Sequence, residues 1–237
     1  MNRPKAILLD YGGTLVEELG ANPRAGNELM LSHASVRPPA ATLEAVQARA
    51  NRVSHDVTSR RAQFQIETPW IALTRLIYDG FGIEFDQPLS ELELDFWKAT
   101  VSTRPMPGAA EALQVFRDDG VPMAVVSNSS FGPHIIQYEL SRHGLASDLS
   151  FVMVSADYAV RKPNPLLFET AAARIGVEPA DIWFIGDSLV ADVAGAQATG
   201  MTAIWLPGYV EAAPGSADLI ASDWPSIVDA FRSAPRA

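Results

Sequence analysis

At 237 residues, with 48% apolar side chains, the chain can form one sizeable α/β core, alone or with a smaller domain, but not several independent cores. A formal net charge of −10 and a pI near 4.8 argue against a surface built to hold nucleic acid or anionic lipid, which needs clustered Lys and Arg. The absence of cysteine removes disulfides, thiolate metal sites and cysteine nucleophiles. No apolar run reaches the length of a membrane span, and Met1–Lys5 leads straight into a strand, so a soluble, cytoplasmic protein without a membrane partner is expected.

The first element is the apolar run Ala6-Ile-Leu-Leu-Asp10, ended by an acid and by Gly12-Gly13, which predicts a fully buried strand emerging into a tight turn. From about Leu19 to Arg104 the pattern changes to amphipathic helices, clearest at Leu43–Phe64, Trp70–Phe81 and Leu89–Thr100, with no convincing strand. Pro38-Pro39 and Pro105-Met-Pro-Gly108 punctuate this stretch. An insertion of that size after a first strand would stand above the ligand-binding edge of an open α/β sheet, where it could serve as a lid.

Strand–helix alternation then resumes. Strands are predicted at Pro122–Ser127, Phe151–Ser155, Ile182–Gly186 and Thr202–Leu206, and helices at Ala109–Asp118, Pro133–His143, Pro165–Ile175 and Val190–Thr199. Such alternation implies a parallel sheet covered on both faces. Ala212–Gly215 reads as a small-residue loop, Asp218–Ala221 as an edge strand and Trp224–Arg232 as a closing helix.

Four segments place reactive side chains at the ends of predicted strands. In Asp10-Tyr-Gly-Gly-Thr14, a carboxylate just past a buried strand can act as a nucleophile or hold a metal, and the glycines let backbone approach closely. At Ser127-Asn128, a hydroxyl and backbone N–H groups at a strand-to-helix turn can hold an anionic oxygen. Lys162, in Arg161-Lys-Pro163, could neutralise both a nucleophile and the charge on a transferring group. Asp187 and Asp192, in Gly186-Asp-Ser-Leu-Val-Ala-Asp192, are hard oxygen ligands suited to magnesium. Singly, each has a bland reading as turn residue, helix cap or helix-terminal charge. Their joint placement on successive strand ends does not.

Taken in order, Asp10…Thr14, Ser127, Lys162-Pro163 and Gly186-Asp187…Asp192 resemble the four motifs of the haloacid dehalogenase superfamily, and the inserted helices resemble its helical cap. The resemblance implies a Rossmann-like α/β core over residues 1–18 and 105–237, and a cap over 19–104. It implies Asp10 as nucleophile, forming an aspartyl intermediate, with Mg2+ held by Asp10, the Gly12 carbonyl and Asp187, and with Asp192 binding the metal directly or orienting its waters. Gly13, Ser127, the Asn128 amide and Lys162 would bind the phosphoryl group of a small anionic metabolite. In-line transfer of this kind is chiefly positioning and charge neutralisation.

One position departs from the phosphatase form of the first motif. Two residues after the nucleophile that form has a second aspartate, which protonates the leaving oxygen and activates water, work generally worth about 10² to 10⁴ in rate. Here the position is Gly12. Several readings stay open: a substrate with a good leaving group; a proton supplied from Glu17, Glu18, His33 or His55 or by the substrate; or a weakened protein that binds a phospho-ligand or a partner without turnover. Phosphonatase chemistry would need a cap lysine, and the cap has only Lys98. Dehalogenation would leave the conspicuous acids Asp187 and Asp192 unused. Arg60-Arg61 reads as a solvated helix face, and Trp70, Tyr78 and Trp97 as helix-packing residues. The sequence carries no readable signal for oligomeric state or for which cap residues touch substrate.

Overall fold

The computed structural model of the chain describes residues 1–147, 149–207 and 217–236, so the expected loop at Ala212–Gly215 lies outside the described residues. The chain begins with β1 (Ala6–Leu9), all four residues of which are fully buried. A strand with no wet face belongs in the middle of a covered sheet. There follow β2 (Val16–Ala21), α1 (Pro23–Ser32), β3 (Ala34–Val36), α2 (Leu43–Phe64), α3 (Trp70–Tyr78), a 3₁₀ turn at Asp79–Phe81, β4 (Glu84–Phe85), α4 (Leu89–Thr100) and β5 (Val101–Pro105). The second stretch comprises α5 (Ala109–Asp118), β6 (Met123–Ser127), α6 (Pro133–Arg142), β7 (Leu149–Val154), α7 (Ser155–Tyr158), α8 (Pro165–Ile175) and β8 (Ile182–Gly186). A π turn at Leu189–Val193 then runs into α9 (Ala194–Ala198), and β9 (Thr202–Trp205), β10 (Leu219–Ile220) and α10 (Trp224–Ser233) complete the fold.

Six strands form one sheet in the order β10-β9-β8-β1-β6-β7, every pair parallel. Period-2 alternation sends Ile7 and Leu9 to one face, with Trp183, Phe116, Ile136, Leu140 and Phe231, under α5, α6 and α10. Ala6 and Leu8 go to the other, with Phe168, Ala171, Phe184 and Ala196, under α8 and α9. Each large apolar side chain so buried stabilises the fold by about 1.5–3 kcal/mol relative to exposure. The expected Rossmann-like α/β core is therefore observed. The chain leaves β1 toward β6 and later returns to β8 on its other side, so the carboxyl end of β1 opens into a crevice of the kind where such sheets bind ligands.

The region between β1 and β6 is the expected inserted helical layer, with its own apolar centre of Met30, Leu31, Val46, Trp70, Tyr78, Ile83 and Leu92. It differs from expectation in having strands. β2 and β5 pair antiparallel, Val16 opposite Pro105 and Ala21 opposite Val101, as the chain enters and leaves the insertion; β3 pairs with β4. These strands bury few residues, Val16 in β2 and Thr103 in β5, so the alternation that betrays a strand is absent. The helix α1 was equally hidden, because its buried face includes polar Asn27 and Gly26. The predicted regular helix at Val190–Thr199 begins instead with the π turn.

Two tryptophans of the core fasten the turns that end its strands. Trp224 Nε1 donates to the Thr14 carbonyl at 3.0 Å, and Trp205 Nε1 donates to the Asp187 carbonyl at 2.7 Å. Trp224 and Thr14 are both buried, so Trp224→Phe leaves that carbonyl unpaired. We expect the substitution to cost about 1–3 kcal/mol in a chemical denaturation experiment; wild-type stability would show that the indole does not anchor the turn.

Candidate active site

The turn after β1 is drawn tight by its own backbone. Leu15 N–H donates to Tyr11 O at 2.9 Å and Gly13 N–H donates to Val16 O at 2.9 Å, while Asp10 N–H donates across to Ile185 O of β8 at 2.9 Å. Gly13 has φ of +76°, and a Cβ there would lie 2.5 Å from Asp187 Oδ2, so only glycine lets the two strand ends close together. A Cβ on Gly12 would meet no atom within 4 Å. The space beside the turn after β1 is open where the second aspartate of the family pattern would stand.

Buried charges meet above this turn. Lys162 Nζ lies 2.7 Å from Asp10 Oδ1 and 2.6 Å from Asp192 Oδ1, and all three side chains are buried. Burial opposes the charge on Lys162, but the carboxylates of Asp10 and Asp192 outweigh it and raise its pKa. Burial pushes Asp10 up to about 7 against the pull of Lys162, with Asp192 and Asp187 adding repulsion. Asp187 is raised by burial and then by Asp192. The π turn brings Asp192 back to its own start: Ser188 N–H donates to Asp192 Oδ2 at 2.9 Å, and Ser188 Oγ accepts from Ala191 N–H at 3.1 Å.

Lys162 is held from behind by Asn128. The Asn128 side chain accepts from Lys162 N–H at 2.8 Å and donates to Lys162 O at 3.0 Å. That amide side chain is thus committed to protein. Ser127, buried at the end of β6, lines the same cavity as Asp10.

Asp10, Asp187 and Asp192 each offer an oxygen, and these oxygens lie within 4.8 Å of one another. An all-carboxylate set around a close glycine backbone fits a hard divalent cation such as Mg2+. Asp10 pairs with Lys162 through Oδ1, whereas Asp192 has both oxygens engaged, on Lys162 and Ser188, so it stands nearer to holding the lysine than to offering an open ligand.

The cavity over these residues measures about 700 Å³ and joins Asp10, Gly12, Ser127, Asn128, Lys162, Asp187 and Asp192. Gly13 lies beneath, against Asp187. From the inserted layer and its ribbon come Glu18, Arg61 and Trp97, joined by Phe131. Of the possible substitute proton donors, Glu18 alone is among the lining residues: Glu17 pairs with Arg104 at 2.6 Å, His33 with Asp86 at 3.2 Å, and His55 is exposed on α2. Glu18 is exposed by area, yet protein crowds its carboxyl enough that desolvation, followed by the charge of Glu139, raises its pKa. Lys98 pairs with Asp95 and lies over the Tyr138 ring, and is not among the residues lining the cavity over Asp10. Arg60 is exposed as expected, but Arg61 is not a solvated residue; it pairs with Glu67 at 3.0 Å and faces the cavity. Trp97 likewise does more than pack helices, since its Nε1 donates to Glu139 at 2.8 Å beside the cavity.

Three buried carboxylates that sequence reading passed over, Glu67, Glu93 and Glu139, tie the inserted layer to the core. For two of them a signal existed. Glu139 shares a buried helix face with Ile135, Ile136 and Leu140, and Glu93 shares one with Leu92, Trp97 and Thr100; an acid on an apolar stripe calls for partners. Glu67, in a loop before Pro69, carried none.

A model of the haloacid dehalogenase-like hydrolases matches residues 4–200. Phosphoserine phosphatase from Thermus thermophilus is 33% identical over 100 residues, covering 42% of this chain and 39% of that protein. The chain spans less than two thirds of the length of the first curated relatives it matches. In fold it is similar to a HAD phosphatase from Thermococcus onnurineus, with a TM-score of 0.64 and 22% identity over 98% of this chain and 99% of that one. It is also similar to a 2-haloacid dehalogenase from Pseudomonas syringae, with a TM-score of 0.66 and 21% identity over 98% of this chain and all (100%) of that one. With its parallel core, its inserted helices and a model match over most of its length, the chain belongs to the haloacid dehalogenase-like hydrolase family.

Proposed function

We propose that the protein is a magnesium-dependent, phosphatase-like hydrolase of small phosphorylated metabolites that works through an aspartyl intermediate on Asp10. The observation that carries the reading is the buried Lys162 ammonium bridging Asp10 and Asp192, with Asp187 alongside. The core of this enzyme is taken as residues 1–18 and 105–237, and its cap as 19–104. Similarity to phosphoserine phosphatase supports a phosphate ester as substrate.

In this reading an Asp10 oxygen attacks phosphorus, a new bond forms to Asp10, and the bond to the leaving oxygen breaks in line. The Ser127 hydroxyl and the Asn128 backbone N–H hold phosphoryl oxygens, while Lys162 neutralises the nucleophile and the charge spreading over the group. Water then attacks phosphorus, the bond to Asp10 breaks, and inorganic phosphate leaves. Asp10, the Gly12 carbonyl and Asp187 would hold Mg2+, with Asp192 beside it, and the ion supplies further neutralisation of phosphoryl oxygens when bound.

Two proton transfers remain, one to the leaving oxygen and one from the attacking water. Gly12 has no side chain to perform them, and Glu18 is the carboxyl on the cavity wall whose raised pKa suits an acid. A phosphonatase is disfavoured because Lys98 lies elsewhere, and a dehalogenase because it has no use for a three-carboxylate cation site.

The test is turnover of acetyl phosphate, p-nitrophenyl phosphate and alkyl monoesters with and without Mg2+. Activity is expected with Mg2+ only, highest on the two activated compounds, and reduced by about 10³ or more in Asp10→Asn. No turnover of any compound would favour a protein that binds phospho-ligands without hydrolysis.

Leaving-group chemistry is tested by two substitutions. Gly12→Asp enters open space and should raise alkyl-monoester turnover by about 10². Glu18→Gln should lower monoester turnover far more than acetyl phosphate turnover, and Gly12→Asp should offset that loss. Equal losses on both substrates would remove Glu18 from the proton transfers.

A further inference from the structure

We infer that Glu67, contributed by the inserted layer, is a positioning residue for Lys162 and for the turn after Ser127, so that docking of this layer completes the anion site of the core. The inference rests on the phosphatase-like reading for its kinetic and phosphate-binding readouts; its exchange readout is independent of that reading.

The Glu67 side chain is wholly buried (0% exposed) and collects donors from four separate segments. Oε1 lies 3.0 Å from Arg61 Nε at the end of α2 and accepts from Thr68 N–H at 2.9 Å and Ser130 Oγ at 3.4 Å. Oε2 accepts from Ser155 Oγ at 2.7 Å and pairs with Arg161. The backbone around it docks as well. Glu67 N–H donates to Ala159 O at 3.0 Å, Arg161 N–H to Gln65 O at 2.9 Å, and Trp70 N–H to Ser130 O at 2.8 Å. Arg61 also reaches the Ser130 hydroxyl.

Two routes lead from this carboxylate to the chemistry. One runs through Arg161 to the adjacent Lys162, whose backbone is already clamped by Asn128. The other runs through Ser155 Oγ, which accepts from Ser129 N–H at 3.0 Å and so fixes the turn that follows Ser127. Glu67 thus holds the far ends of both segments that present cationic and N–H groups to the cavity.

A neutral residue cannot substitute electrostatically. Two partly buried guanidinium groups, of Arg61 and Arg161, face this one buried carboxylate; without its charge their mutual repulsion is uncompensated. The relief available to Arg161 is to swing its side chain away, which removes its tie to the inserted layer and leaves the segment carrying Lys162 to its backbone bonds alone. A displacement of about 1 Å in a positioned group costs on the order of 10² in rate. A purely structural interface residue would instead lower stability and leave the anion site as it was.

The experiment compares wild type, Glu67→Gln and Ser155→Ala in the presence of Mg2+. Calorimetry gives affinity for inorganic phosphate, steady-state assays on acetyl phosphate give kcat and KM, and hydrogen exchange reports segments 127–131 and 159–163. Glu67→Gln is expected to weaken phosphate at least about tenfold, to lower kcat by about 10- to 100-fold and to speed exchange in both segments. Ser155→Ala, which cuts one route, should speed exchange at 127–131 with a smaller loss of kcat. A folded Glu67→Gln with a lower melting temperature but wild-type phosphate affinity, kcat and exchange overturns the inference. Should Glu67→Gln fail to fold, Arg161→Gln is read by the same criteria. If wild type neither binds nor turns over phosphate compounds, the functional reading fails, and exchange in the two segments alone decides the role of Glu67.

Discussion

One buried ammonium holds the site together. Lys162 joins a carboxylate from the end of β1 to one from the π turn after β8, and without it Asp10, Asp187 and Asp192 would stand as three crowded acids in a desolvated crevice. Even with it, burial first and the repulsion of neighbouring carboxylates second keep Asp10 and Asp187 both raised. Such a cluster is unfavourable as a stability device, because desolvation of charge outweighs attraction unless every partner is present. Its retention makes sense for binding a divalent cation and an anion in turn. The parallel sheet supplies the rigidity: β1, β6 and β8 are adjacent and buried, so their ends cannot drift apart.

The rest of the molecule serves that crevice at two distances. Near it, glycine at 13 lets Asp187 approach, and indole donors from Trp224 and Trp205 hold the carbonyls of the two turns. Farther out, the inserted layer is fastened by buried carboxylates on both sides of the cavity. Glu139 takes Trp97 and Thr103, Glu93 takes the N–H of Gly132, and Glu67 takes the arginine and serine donors of the core. An interface of this kind is specific because each carboxylate is costly unless its donors arrive together.

The core was legible in the sequence because its physics is local. Ala6–Leu9 has no polar residue to place outward; Asp10 and Asp187 follow directly on such runs and Ser127 ends one, whereas Lys162 stands beyond α7, so strand ends and candidate site residues coincide everywhere but at Lys162. The inserted layer was legible only where an apolar stripe marks a helix, as it does at Trp70–Tyr78 and not in α1. Strand β2 forms because β5 runs beside it, and α1 buries an asparagine whose oxygen accepts from Tyr78 across the layer at 2.7 Å; neither fact is written in a local period. The contribution of Arg61 and Glu67 depends on contacts more than 60 residues away, such as that of Glu67 with Ser130, |i−j| of 63. Gly12 is the reverse case. Its meaning came entirely from the sequence, and the structure adds that the space it leaves is open.

Thermal unfolding against pH and Mg2+ decides whether the carboxylate cluster is built for a divalent cation. In the metal-free protein Asp10 has a folded-state pKa raised from 3.8 to about 7, so its protonated form favours the fold and that contribution is lost as pH rises through this window. Metal-free melting temperature should therefore fall between about pH 4 and pH 7, and Asp10→Asn should flatten the fall. At pH 8, Mg2+ at a hundredfold excess over its Kd should raise the wild-type midpoint by roughly 5–10 °C, from about 2.7 kcal/mol of linkage, and raise Asp10→Asn much less. A wild-type midpoint that ignores Mg2+ at pH 8, with the same pH dependence as Asp10→Asn, would contradict the account.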